Sequence, residues 1–277
     1  MFSETLQLLW EFGLKPNRRT GQHHVIDPTF LELMVDYSKL TGEDVVLEIG
    51  AGTGNLTRLL ARYAKKVIAV ERDKGLMKVL LRRFRGFPNV DLLHGDALRL
   101  AFPDFNKVVS NLPYSISSDI MFTLLKHEFE IAVLMFQKEF AKRLVAKPGT
   151  NDYSRLTVNT YYRAGVELLD EISPKAFFPQ PKVTSAIVRL KPRRPPFKLS
   201  DESLFFNLVR ALFQHRRQRV RNALMRSYGI VFPDEVLPKS ERRSLIDKKL
   251  AKGLSETRVM DLAPEKFGEM ANLFSLP

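Results

Sequence analysis

Along residues 44–190, short apolar runs rich in β-branched residues alternate with stretches whose apolar residues recur at helical spacing. The runs are 44–49 (DVVLEI), 66–71 (KVIAVE), 89–94 (NVDLLH), 107–112 (KVVSNL), 131–137 (IAVLMFQ), 166–172 (VELLDEI) and 184–190 (TSAIVRL). Most are apolar at consecutive positions rather than at every second one, the pattern of strands covered on both faces. Helices are expected near 55–64, 73–85, 117–127 and 138–147, between the first five runs. Such alternation implies a parallel sheet with right-handed crossovers. The last two runs lack an equally clear helix between them and are expected as an antiparallel edge. The expected fold class is α/β, a doubly wound, mostly parallel seven-stranded sheet.

After Leu190 comes KPRRPPF, a proline-rich basic hinge, and the pattern then becomes helical throughout. Ser200 reads as an N-cap followed by Asp201 and Glu202 in the first turn. Leu204, Leu208 and Leu212 recur every four residues beside Phe205, Val209 and Phe213, which makes this helix amphipathic. Its continuation, QHRRQRVRNALMR, is dense in arginine, and Pro264 is placed to open the last of several short helices. Two domains are expected, 1–190 and a small helical one at 191–277.

The first strand runs into Glu48-Ile49-Gly50-Ala51-Gly52-Thr53-Gly54-Asn55. Glycines at this point let the chain turn tightly and approach a ligand beside a helix N-terminus. The spacing departs from the dinucleotide fingerprint G-x-G-x-x-G, because the third glycine comes one position early and Asn55 takes its place. No Gly-Lys-Ser/Thr follows, so a phosphate-binding P-loop is excluded. Glu48 precedes the loop, Glu71 closes the second strand about 20 residues on, where an acid bonds ribose hydroxyls, and Asp96 follows the third strand in Gly95-Asp96-Ala97. Three acids at successive strand ends, without a phosphate-binding feature, suit a nucleoside ligand that carries positive charge. The fourth strand ends in Asn111-Leu112-Pro113-Tyr114, an amide, a rigid turn and an aromatic ring.

Composition narrows the partner. The chain of 277 residues has 44 Lys+Arg against 31 Asp+Glu, a net charge of +13, and 18 of the basic and 10 of the acidic residues fall in 191–277. An excess of this size suits a polyanion whose phosphates shed counterions on binding. Lys15, Arg18 and Arg19 form one basic run, and Arg216, Arg217, Arg219 and Arg221 form another. With no cysteine, disulfides, thiolate nucleophiles and Cys-ligated metals are excluded. His23 and His24 are adjacent, so their side chains diverge, and no third ligand is near; no metal is expected. No apolar run approaches the roughly 20 residues that span a bilayer. The start MFSETLQLLW lacks a basic region and a cleavage site, so a cytoplasmic, monomeric protein is expected.

The combination E-x-G-x-G-x-G, an acid ending the second strand, Gly-Asp-Ala after the third and Asn-Leu-Pro-Tyr after the fourth resembles the S-adenosylmethionine-dependent methyltransferases. With Phe177-Phe178-Pro179-Gln180-Pro181-Lys182-Val183 and the Phe213–Arg217 segment, it is similar to the rRNA adenine dimethyltransferases over nearly the whole chain. That resemblance implies a catalytic domain at 1–190 and a basic RNA-binding domain at 191–277. It implies S-adenosylmethionine as cofactor, held by Gln22, His23, Val25, Glu48, Gly50, Gly52, Glu71, Asp96, Ala97 and Asn111. It implies small-subunit rRNA, within a pre-small ribosomal subunit, as the substrate. The N6 amines of two adjacent adenosines near the 3′ end would be dimethylated at a centre made by Asn111, Leu112, Tyr114 and Phe177. Asn111 Oδ1 and the Leu112 carbonyl would accept from the amine, Tyr114 would stack on the purine, and Phe177 would close its other side. Arg18, Arg19, Arg216, Arg217, Arg219 and Arg221 would grip phosphates. The family's Gln-Asn-Phe-Leu segment is Gln22-His23-His24-Val25 here; His23 can hydrogen-bond as the Asn would, whereas His24 loses an apolar contact. Two other readings compete: the erythromycin-resistance branch, which acts on large-subunit rRNA, and an assembly factor whose methylation is secondary or lost.

Overall fold

The computed structural model describes residues 1–15 and 23–275, which form two compact units, 1–141 with 165–192 and 142–164 with 193–277. In chain order the first unit contains α1 (Phe2–Glu11), β1 (His24–Val25), α2 (Pro28–Ser38), β2 (Val45–Ile49), α3 (Asn55–Tyr63), β3 (Lys66–Glu71), α4 (Lys74–Arg83), β4 (Val90–His94), β5 (Lys107–Asn111), α5 (Ser117–Leu124) and β6 (Ile131–Gln137). The boundary falls within α6 (Lys138–Leu144); α7 (Arg155–Arg163) belongs to the second unit, and β7 (Ala164–Ile172), β8 (Phe177–Phe178) and β9 (Ser185–Pro192) return to the first. The second unit continues with α8 (Glu202–Phe213), α9 (Val220–Val231), α10 (Lys239–Lys249), α11 (Lys252–Glu256) and α12 (Pro264–Ser275).

Seven strands form one sheet in the order β4-β3-β2-β5-β6-β9-β7. β2 pairs in parallel with β3 and with β5, and β3–β4 and β5–β6 are parallel as well. β9 runs antiparallel to β6, with Leu134 opposite Val188, and inserts between β6 and β7. The expected α/β class and all seven strands are therefore present. Alternation of apolar runs marks strands well because each buried strand must be apolar on both faces. The central strands show it: Val46, Leu47, Val67, Val108, Val109, Val133 and Leu134 are all fully buried. The edge strands β4 and β7 are only partly covered, in line with their mixed sequences.

The chain order reverses between β2, whose sequence neighbour β3 lies on one side, and β5 on the other. This is the switch point of a doubly wound sheet, where the loops after the strands diverge and leave a crevice. A separate two-stranded ribbon, β1 with β8, pairs His24 with Phe178 and Val25 with Phe177; the sequence reading did not anticipate it.

The second unit resumes at residue 193, close to the expected boundary at 190, but also takes in 142–164, which the sequence reading places in the first domain. Its core joins Tyr153, Val158 and Tyr162, which precede β7, to Phe205, Leu208, Leu212, Leu224, Tyr228 and Phe267. Tyr161 Oη donates to Glu265 Oε1 at 2.5 Å and Tyr162 Oη to Glu202 Oε1 at 3.0 Å. The physical reason is one face of α7: Val158 and Tyr162 are buried in the same core as residues of α8 and α12. Two local expectations change as well. Asp201, not Ser200, caps α8, its Oδ1 accepting from the Leu204 amide. The arginine-rich stretch does not extend α8, because residues 214–219 turn and α9 begins only at Val220. Pro264 opens the last helix, as expected.

Gly268 sits buried inside α12, where a Cβ would lie 2.5 Å from two ring atoms of Phe197. Gly→Ala in a free helix interior gains about 1 kcal/mol, but overlap with a packed ring costs about 1–3 kcal/mol. Gly268→Ala should therefore lower the calorimetric melting temperature; a rise would show that the Phe197 ring yields freely.

Candidate functional site

The crevice at the switch point is a cavity of about 520 Å³. Its floor is the loop after β2, where Gly50, Gly52 and Gly54 all have positive φ (79°, 62° and 80°), a conformation that side chains with a Cβ rarely adopt. Close packing gives the same glycines a second reason. A Cβ on Gly50 would lie 3.1 Å from Pro113 Cδ, and one on Gly54 2.5 Å from the Phe84 ring. Four amides shape the loop: those of Gly50 and Ala51 donate to the Val70 carbonyl (2.8 and 3.1 Å), Gly54 N to Ala51 O (2.9 Å) and Gly52 N to Glu71 Oε2 (2.9 Å). Glu71 also accepts from Asp73 N through Oε1, at 2.8 Å. Asp73 in turn caps α4, accepting from Gly75 and Leu76.

Glu48 lies at the bottom, fully buried, with Oε2 unpaired within the protein. Burial pushes its carboxyl up to about 8; Thr57 beside it works against that, and the Glu71 charge adds to it. Burial raises Glu71 as well, although the amides of Asp73 and Gly52 oppose the shift. A buried acid with one oxygen unpaired, in a cavity that a second acid also lines, fits a ligand that supplies cationic and hydrogen-donating groups.

The opposite wall is Asn111, Leu112, Pro113, Tyr114, Ser115 and Ile116. Asn111 Nδ2 donates to the His23 carbonyl at 3.1 Å, which leaves Oδ1 as the acceptor end of the amide. Tyr114 Oη lies 2.5 Å from Ser185 Oγ, and burial raises the phenol above its ordinary pKa. One face of the Tyr114 ring lies against His23, with ring centroids 5.7 Å apart and planes inclined by 28°. His23 Nδ1 is 2.7 Å from the Pro179 carbonyl, so that nitrogen carries the proton. His24 is buried and neutral, burial and then the neighbouring His23 lowering its pKa to about 4. Its ring fills the apolar position against Gly52, whose Cβ would lie 3.0 Å from His24 Nδ1.

Of the residues expected to hold the cofactor, His23, Val25, Glu48, Gly50, Gly52, Glu71 and Asn111 line this cavity. Gln22 falls outside the described residues, as do Arg18 and Arg19. Asp96 and Ala97 are not part of the lining; Asp96 Oδ1 accepts from Leu98 N and so caps its own turn. Phe177 is also elsewhere. Its ring is 1% exposed and belongs to the main core, because β8 pairs with β1 and turns that side chain inward. Three of the four C-terminal arginines are committed within the second unit: Arg216 to the Thr150 and Asn151 carbonyls, Arg219 to Glu256, and Arg221 to both oxygens of Asp247. The sequence reading did not single out Asn55, Arg72, Asp73 and Lys74, which also line the cavity. Only Asp73 had a signal, an N-cap residue two positions after the strand-end acid. Among the described residues no group of three or more His, Asp or Glu could hold a metal ion, and no helix is long and apolar enough to cross a membrane.

The sequence model for ribosomal RNA adenine dimethylases matches residues 13–265. The chain belongs to that family. The enzyme is 45% identical over 252 residues to a probable ribosomal RNA small subunit methyltransferase A from Methanosarcina mazei, covering 91% of this chain and 90% of the relative. A protein of the same description from Thermococcus gammatolerans is 43% identical, with 96% and 92% covered. Among solved structures, a dimethyladenosine transferase from Plasmodium falciparum superposes with a TM-score of 0.74 at 32% identity, covering 88% of this chain and 94% of the other. The 23S rRNA methyltransferase ErmE gives 0.66 at 28% identity, with 91% and 99% covered. S-adenosylmethionine is the cofactor of such an enzyme, and the two cavity acids, Glu48 with one oxygen unpaired and Glu71, suit its cationic and hydroxyl groups.

The raised Glu48 pKa has a stability consequence. An unfolded glutamate titrates near 4.5, so the stabilising contribution of this group is fully present below that pH. It is lost as pH rises through about 8. Glu48→Gln should leave the ligand-free enzyme more stable than the unmodified one at about pH 9, with little difference at about pH 4. Urea unfolding across that range checks this, and a constant difference would mean that the Glu48 pKa is not raised in the folded enzyme.

Proposed function

We propose that this enzyme transfers methyl groups from S-adenosylmethionine to the N6 amines of two adjacent adenosines near the 3′ end of small-subunit rRNA, as a step in ribosome biogenesis. The observation that carries the reading is the orientation of Asn111. Its Nδ2 is tied to the His23 carbonyl, so Oδ1 is the acceptor end of an amide in the cavity wall that Leu112 and Pro113 also form.

The N6 lone pair of adenine is delocalised into the ring, which makes the amine a poor nucleophile. Two acceptors facing its NH2 draw the lone pair out of conjugation and stabilise the positive charge that develops on nitrogen. The cofactor, when bound, supplies an electrophilic methyl on a sulfonium centre. Holding the amine in line with that methyl accounts for much of the remaining acceleration. The methylated amine is acidic enough to lose its proton to water, so the scheme asks for neither a general base nor a metal. The target adenine has to leave its stack to enter the cavity. The Tyr114 face away from His23 offers it a stacking surface, worth on the order of 1–3 kcal/mol. Its hydroxyl bond to Ser185 and the His23 ring hold that surface in place.

The small subunit is favoured as target by the higher identity to the small-subunit relatives, 45% against 28% for the large-subunit enzyme. The second unit is proposed as the RNA-gripping part, since 191–277 carries a net charge of +8, 18 basic against 10 acidic. Arg217 is the one arginine of the 216–221 group with no ion pair or side-chain hydrogen bond among the described residues.

Incubation with labelled S-adenosylmethionine and undermethylated small subunits should place label in dimethyladenosine. Label confined to large-subunit RNA would move the enzyme to the resistance branch, and tight subunit binding without transfer would make it an assembly factor. Asn111→Ala should reduce transfer by about 10²-fold or more while binding of S-adenosylhomocysteine survives; near-normal turnover would sink the mechanism.

A further inference from the structure

The glycine loop poses a conformational question. Three of its five residues are glycines, which fix little by themselves, so contacts from outside must hold the loop in its ligand-ready form. At its β2 end those contacts come from β3, through the Val70 carbonyl and Glu71. At its α3 end they come from one buried guanidinium. Arg83 Nη1 donates to the Thr53 carbonyl at 2.5 Å and to Asn55 Oδ1 at 3.0 Å. Asn55 Nδ2 then donates to Thr5 Oγ1 at 3.0 Å and to the Val25 carbonyl at 3.1 Å. The Arg83 side chain is 9% exposed, and its countercharge is Glu4 of α1, at 2.7 Å; the same Glu4 oxygen also receives Arg58, at 2.9 Å.

The N-terminal segment therefore closes a circuit. Glu4 neutralises Arg83, Arg83 holds the loop carbonyl, and Asn55 ties that loop back to Thr5 and to β1 beside His24. Further along, Glu11 pairs with Arg82, and the Arg82 guanidinium lies 5.5 Å from the centre of the Phe12 ring. Leu14 packs over Gly75 so closely that a Cβ there would lie 2.5 Å from its Cδ2. Residues 1–15 thus touch Asn55, which lines the cavity, and Gly75, which lies between the lining residues Lys74 and Leu76. Yet α1 buries only Thr5 and Leu9, too little apolar surface to dock by hydrophobic burial alone.

We propose that α1 is a clamp on the donor loop and that Arg83, countered by Glu4, is a positioning residue for cofactor binding. Arg83 acts through the Thr53 carbonyl and Asn55, not by touching the reacting atoms. Docking of α1 and occupancy of the cavity are coupled, and the coupling is reciprocal: the bound cofactor tightens α1 and a docked α1 tightens the cofactor.

The test uses the full chain and S-adenosylhomocysteine as probe, with binding measured by calorimetry. Arg83→Met should raise Kd about tenfold, the scale of one lost charge-assisted hydrogen bond, and Glu4→Gln by about threefold. The double variant should bind within about twofold of Arg83→Met, because both changes break one circuit. Turnover at saturating donor should stay near normal, with the loss confined to donor KM. Hydrogen exchange across α1 should slow when the probe binds the unmodified enzyme. Lys107→Met, a buried lysine bonded to the Ser38 and Lys39 carbonyls and away from the cavity lining, should lower stability without moving Kd. If Arg83→Met does not fold, Glu4→Gln and Arg83→Lys carry the test. Unchanged Kd in the variants, additive losses in the double variant, or α1 exchange indifferent to the probe would each overturn the clamp. Failure of the unmodified enzyme to bind the probe would instead strike at the donor assignment itself.

Discussion

The site depends on one close approach, that of Pro113 to Gly50. The two residues follow β2 and β5, which are separated by 57 positions or more in sequence but are neighbours in the sheet. A Cβ on Gly50 would stand 3.1 Å from the Pro113 ring, so glycine at that position lets the acceptor wall lie directly on the donor loop. Transfer of a methyl group needs its two partners within contact distance and in line. The contact that meets this need is made by backbone and the Pro113 ring.

Around that contact the protein keeps polar groups where burial makes them costly. Glu48 and the His24 ring each retain a buried atom with no partner inside the protein. Arg83 is buried nearby, matched by a carboxylate from another element. Buried polar atoms left unpaired lower stability, and their concentration on one cavity is the physical mark of a binding site. The two carboxylates that face the cavity differ in kind. Glu71 accepts from the amides of Gly52 and Asp73 and so shapes the loop. Glu48 has Thr57 beside it but keeps Oε2 unpaired.

The second unit shows how net charge and charged surface separate. Its arginines were counted as one basic stretch, yet Arg216 braces the 150–151 turn, and Arg219 and Arg221 are matched by Glu256 and Asp247. Surface pairs of this sort add little stability, but they do fix where guanidinium groups point. An arginine already bonded within the unit holds chain segments together rather than standing fully open to a phosphate. What remains for an anionic partner is the unmatched excess spread over the unit.

The seven strands, the glycine loop and the acids after it were legible in sequence, because each rests on local chemistry: apolar runs for strands buried on both faces, glycine for positive φ, acids at strand ends. Asn111 and Tyr114 were legible for the same reason, as an amide and a ring at the end of a buried strand. Tertiary structure alone decided which of the marked residues meet. Phe177 is drawn into the core by pairing of β8 with β1, Asp96 turns to cap its own loop, and α7 leaves the first unit because its apolar face finds partners on α8 and α12. It also decided that a helix at the start of the chain braces the donor loop through Arg83. Those outcomes depend on pairings between segments far apart in sequence, where no local pattern specifies the partner and only the sum of packing and hydrogen bonding selects it.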